Sequence, residues 1–246
     1  MKLLMPQTFP KEIFQEFAET AGNFFPEILS DDNLSDTFQK REHFQRAWLA
    51  VCYRYRACSE HNESFKIILA NTSDLWREWG ADEEQNYKLE QCLYHFFMSG
   101  LSVFESLGFC LYFVAGMIDP QKFPYVSDPR KITLKTMVSA LEAGFPDSAI
   151  TKNFRDLLNN ATFTQVDDIR NILAHRLTGR RNVHSYGNTD SDGVYAQTRK
   201  EIWHIQGSDK ELLFDEGLIQ RYFDEITELL TGLISAALEF VKAARR

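Results

Sequence analysis

Arg170, Asn171 and His175 lie close together in DDIRNILAHRLTGRR, residues 167–181. They offer a guanidinium fork, an amide and an imidazole, the side-chain types that bind a phosphate and move a proton near neutral pH. At helical spacing Asp168, Asn171 and His175 share one side, with Arg170 at its edge and Asn171 one turn before His175. Val166, Ile169, Ile172, Leu173 and Leu177 form the opposite, core-facing stripe. Two readings follow: an anion site, or a solvated helix face whose Asp residues suit the N-terminus and whose His and Arg suit the C-terminus. Local charge favours the first. From Ile169 to Thr189 the chain carries Arg170, Arg176, Arg180, Arg181, His175 and His184 and no Asp or Glu. Tyr186 adds a ring that can stack on a base.

The helix carrying these residues is one of several. Of 246 residues, 44% are hydrophobic and 25% charged, with 20 Phe, 12 Gly and 7 Pro. That composition suits a globular, mostly helical chain with much of its burial in aromatic rings. In the first 30 residues Ile13, Phe14 and Phe17 recur at helical spacing before Gly22 and Pro26 break the pattern, which reads as a short helix and loop. Ser35 to about Glu60 reads as a long one, with Phe38, Phe44, Trp48, Val51 and Cys52 in its apolar stripe. FKIILA, residues 65–70, is ambiguous between helix and strand. Residues 82 to 117 form a central helix, with bends expected at Gly100 or Gly108. Its apolar run, Phe96 to Ile118, has the length of a membrane span, but Glu105 divides it and three serines dilute it, so it reads as a buried core helix. A buried Glu105 requires a partner, for which Arg170 and Arg176 are candidates.

Three shorter helices follow, over 132–145, 148–160 and 164–177. Asp147 or Ser148 is the expected cap of the second, and Thr164 with Asp167 of the third. Alternation on both sides of NTDSDG predicts a β-hairpin at about 182–206. A long amphipathic helix closes the chain, with Leu218, Phe223, Ile226, Leu230, Leu233 and Leu238 near one face. Residues 1–80 read as a helical extension packed on a main domain spanning 81–246.

Formal net charge is −8, which disfavours indiscriminate binding to nucleic acid or anionic membrane while leaving room for a local basic patch. Cys52, Cys58, Cys92 and Cys110 show neither a paired C-x-x-C nor a disulfide framework and read as reduced core residues. With no export signal evident, the cytoplasm is the expected compartment. Cys58-x-x-His61 lacks a second pair at zinc spacing, even with Cys52 and His43 nearby in sequence, and His95 reads as a core histidine. No phosphate-binding glycine loop, serine elbow or zinc-protease helix is present. No metal or cofactor is therefore expected.

The string Arg170-Asn171-x-x-x-His175 resembles the R-x4-6-H motif of the HEPN superfamily, including the polar residue after the arginine. The long apolar helix upstream is also similar to that family's core. The resemblance extends over roughly residues 82–246. It implies an all-α, up-and-down helical bundle, here with the hairpin inserted before the last helix. The implied activity is a metal-independent endoribonuclease whose two protomers bring both motifs to one cleft.

Carried over, His175 assists proton transfer, Arg170 stabilises the charged phosphorane and Asn171 orients one of them. The basic island, Arg176, Arg180, Arg181 and His184 with Tyr186, supplies the approach for RNA or a nucleotide. A defence, stress or toxin–antitoxin setting, with an antitoxin or regulatory protein as partner, is implied as well. Leu177 departs from the tyrosine of one antitoxin-modified group. The family also contains non-catalytic members that bind RNA or nucleotide or scaffold a partner.

Overall fold

The structure is a computed structural model that describes residues 11–27, 34–75, 83–126, 128–175, 180–189, 193, 195–204 and 213–244. Helices α1 (Lys11–Glu27), α2 (Leu34–Leu75), α3 (Glu83–Ile118), α4 (Leu134–Gly144), α5 (Ala149–Leu158), α6 (Ala161–His175) and α7 (Glu216–Ala244) build it. Phe123 apart, every buried apolar side chain among the described residues sits on a helix. Between α6 and α7 the backbone is extended: β1 (Arg180–Thr189) pairs antiparallel with β2 (Tyr195–His204), and β3 (Leu213–Phe214) adds to the edge of β2.

The chain divides into two compact units. One comprises Met1–Arg56, Gly100–Thr164 and Glu225–Arg246, the other Ala57–Ser99 and Gln165–Asp224. The divisions fall within α2, α3, α6 and α7, and none falls near residue 80.

In the first unit α1 has helical spacing at Phe14, Phe17, Ala21 and Phe25, all buried, so one stripe faces the core. Phe17 meets Trp48 and Phe44 at 5.0 and 6.3 Å, and Phe14 meets Trp48 at 5.6 Å. From α7, Thr227 shares a hydrogen bond with the buried Tyr55 at 2.9 Å, and Lys242 pairs with Glu16 at 2.9 Å. α3 runs unbroken through Gly100 and Gly108. At Gly116 a side chain is excluded, because a Cβ there would lie 2.8 Å from the Phe123 carbonyl oxygen. α4 is closed by a reciprocal Thr133–Thr136 capping box, and α5 by Ser148, whose hydroxyl accepts from the Thr151 amide.

The second unit is held by Leu69, Leu89, Leu93, Phe96 and Phe97 with Ile219 and Tyr222, the last two rings meeting edge-on at 5.6 Å. Lys66 and the buried Asn62 both donate to Gln220 Oε1, at 2.8 and 2.9 Å.

Several expectations change. FKIILA is helix: Phe65 and Leu69, one turn apart, are both buried, and α2 continues to Leu75. Phe38 is not in the apolar stripe of α2 but 68% exposed. Glu105 is exposed despite its apolar neighbours in sequence, so it needs no buried partner. α3 is long and apolar enough to cross a membrane, and 78% of its most apolar window is buried inside the structure. That burial is what a core helix shows.

Candidate functional site

α6 begins one turn earlier than its sequence suggests. Asn160, not Thr164, caps it: Asn160 Oδ1 accepts from the Phe163 amide at 3.0 Å, while the Thr164 hydroxyl turns back to the Asn160 carbonyl at 3.0 Å. Val166 and Ile169 are buried, Ile172 and Leu173 half-buried. Leu177 lies outside the described residues.

On the polar side one carboxylate oxygen organises two candidate residues. Asp167 Oδ1 accepts from Arg170 at 2.9 Å and from Asn171 at 3.2 Å. The Arg170 side chain is 24% exposed, and its Nε is buried with no hydrogen-bond partner among the described residues. A buried guanidinium N–H without an acceptor is costly. Asp168, grouped with Asn171 and His175 by spacing, is exposed. Asp167 is the residue that sequence reasoning missed as an organiser. Its i+3 and i+4 relation to Arg170 and Asn171 is the signal that identifies it.

His175 is the last residue of α6, one turn beyond Asn171. Arg176 lies outside the described residues. Arg180, Arg181, His184 and Tyr186 are all on β1, opposite His204, Trp203, Lys200 and Thr198 of β2. The island therefore begins less basic than its sequence suggests, because Asp167 offsets Arg170 just before it.

His43, His61 and His95 are accounted for by packing. His43 stacks on Phe113 at 4.9 Å, and His61 on His95 at 4.9 Å with planes 20° apart. Nearly parallel imidazoles direct their in-plane nitrogens side by side, a poor arrangement for one shared ion. Among the described residues no group of three His, Cys, Asp or Glu could hold a metal.

Burial and the neighbouring His95 hold His61 below its ordinary pKa of 6.5, against a smaller opposing effect of Glu60. Protonation therefore favours the unfolded chain, and stability present above pH 6.5 is lost as the pH falls toward the lowered value. Urea midpoints at about pH 7.5 and 5 are expected to differ more for the wild type than for His61→Gln. Equal differences would show that His61 is not the sensor.

A cavity of about 590 Å³ lies between α5 and α7 of the first unit. Asp156, Glu225 and Glu228 line it with Leu157 and Leu229. Its acidic lining is the wrong sign for a phosphate. No family model, curated protein or solved structure matches this chain.

Proposed function

We propose that the chain is a HEPN-type, metal-independent endoribonuclease that works as a homodimer in the cytoplasm, in a defence or stress response. The supporting observation is the state of Arg170. One arm of its fork is fixed by Asp167, its Nε has no acceptor among the described residues, and His175 follows on the same helix. A held guanidinium is a preorganised donor, the arrangement that stabilises charge developing in a transition state.

RNA brings its own nucleophile. The 2′-oxygen forms a bond to the adjacent phosphorus as the P–O5′ bond breaks, leaving a 2′,3′-cyclic phosphate and a 5′-hydroxyl. His175 takes the 2′-hydroxyl proton or supplies one to the leaving oxygen, Arg170 meets the phosphorane charge, and Asn171 holds the alignment. Arg176, Arg180, Arg181, His184 and Tyr186 provide the approach. An antitoxin-like regulator belongs to the same proposal.

A single-stranded RNA incubated with the protein in excess EDTA is expected to yield cyclic phosphate ends. The same strand with 2′-deoxyribose at the cleaved position is expected to survive. Cleavage of the deoxy-substituted strand at that position would end the proposal. One observation favours a second reading, the non-catalytic module: Asp167 also ties up Asn171 and offsets the Arg170 charge. RNA binding without any cleavage would select it.

A further inference from the structure

Between Gln39 and Arg56 the chain carries five basic residues and one acidic residue, against 27 and 35 in the whole. This is the first half of α2, and it lies within one compact unit. Phe44, Ala47, Trp48, Val51, Cys52 and Tyr55 are buried on its inner side. What remains outside is unusual for an acidic protein. Phe38 is 68% and Tyr53 50% exposed, and Arg41, Gln45, Arg46 and Arg56 are exposed with them.

At about 100° per residue these six positions fall within an arc of roughly 140°, and at about 1.5 Å per residue the two rings stand roughly 22 Å apart along the axis. Arg54 belongs elsewhere: its guanidinium donates to the Ser102 carbonyl at 3.3 Å. Arg41 has no ion-pair partner among the described residues. Among the described residues Arg46 pairs with Glu42 alone, an i+4 surface pair with 75% of the arginine side chain exposed. Such a pair yields readily to a phosphate.

Arginines interleaved with separated aromatic rings and a glutamine are the components of a single-stranded nucleic-acid track, in which rings stack on bases and guanidinium groups follow the backbone. A protein-docking face would instead join its apolar groups into one patch; here charged residues separate them. We propose that the outer face of α2 from Phe38 to Arg56 is a binding surface for single-stranded RNA. The choice of RNA over DNA rests on the ribonuclease reading. Binding by this face does not require Arg170 or His175.

The test uses a fluorescent 20-nucleotide 2′-O-methyl polyuridine, which lacks the attacking hydroxyl, so binding is measured without cleavage. By anisotropy, Phe38→Ala/Tyr53→Ala is expected to bind about tenfold or more weakly, with an unchanged salt dependence. Arg41→Gln/Arg46→Gln is expected to lower the slope of log affinity against log salt by about 1.4, two phosphate contacts' worth. All four side chains are exposed, and circular dichroism checks that α2 persists.

Wild-type affinity in both double variants would overturn the proposal. So would sedimentation showing that Phe38→Ala/Tyr53→Ala splits a dimer without weakening RNA. If the protein cleaves no RNA yet binds the probe through these four residues, the nuclease reading fails and this surface stands. If it cleaves RNA but neither double variant changes binding, the reverse holds.

Discussion

RNA cleavage by the Arg170→Lys and His175→Ala variants is expected to fall by about 10²–10⁴-fold, with both proteins still folded. The lysine substitution is the sharper test. An ammonium can replace the arm of Arg170 that meets Asp167 Oδ1 at 2.9 Å, and it preserves the charge. It cannot keep that contact and also offer the second, coplanar N–H of a guanidinium fork. If catalysis needs only positive charge, lysine retains activity; if it needs the fork, lysine fails nearly as badly as alanine. Position 175 closes α6, where alanine is the better helix former, so lost activity there is not a folding defect. Rates from gel-resolved time courses at saturating RNA decide the matter, and a lysine variant within about threefold of wild type would remove Arg170 from its proposed role.

Phe17→Ala is expected to cost about 3–5 kcal/mol of folding stability, a large share of the roughly 5–15 kcal/mol available to a domain. Phe17 is 0% exposed and meets Trp48 at 5.0 Å and Phe44 at 6.3 Å. Removing its ring leaves a void that stiff aromatic neighbours cannot close. Urea denaturation of the two proteins gives the difference. A loss under about 1 kcal/mol would mean that α1 is an appendage rather than part of the core that its burial describes.

The two variants bear on how much of the molecule can be read from its residues. Helical periodicity makes the final helix and the Phe14–Phe17 stripe visible, and because a side-chain oxygen before an apolar repeat has few other uses the sequence narrows the cap of α5 to Asp147 or Ser148, of which the backbone selects Ser148. Thr164 misled because it fits the same rule. Asn160 competes for the role, and only the backbone shows that its Oδ1 reaches the Phe163 amide.

Glu105 was misplaced because a one-dimensional apolar run conceals the side a single position faces. Phe38 was misplaced for the opposite reason, assigned to a stripe on hydrophobicity alone. At the candidate site, residue types indicated Arg170 and Asn171, but which aspartate they meet depends on rotamers. Asp167 and Asp168 are adjacent and chemically identical; only one of them turns toward the arginine.

The four thiols have a practical consequence. Cys52, Cys58, Cys92 and Cys110 are all free and buried. Burial raises Cys52 to about 11 and pushes Cys58 and Cys110 far above the ordinary range. Burial raises Cys92 as well, so both the thiolate and the access that an alkylating reagent requires are suppressed in the native state. Cys52 and Cys110 belong to one compact unit and Cys58 and Cys92 to the other. The molecule thus carries its own pair of clocks: the rate at which each pair is alkylated times the opening of its own unit, so mass spectrometry of labelled peptides can separate local opening from global unfolding without an added probe.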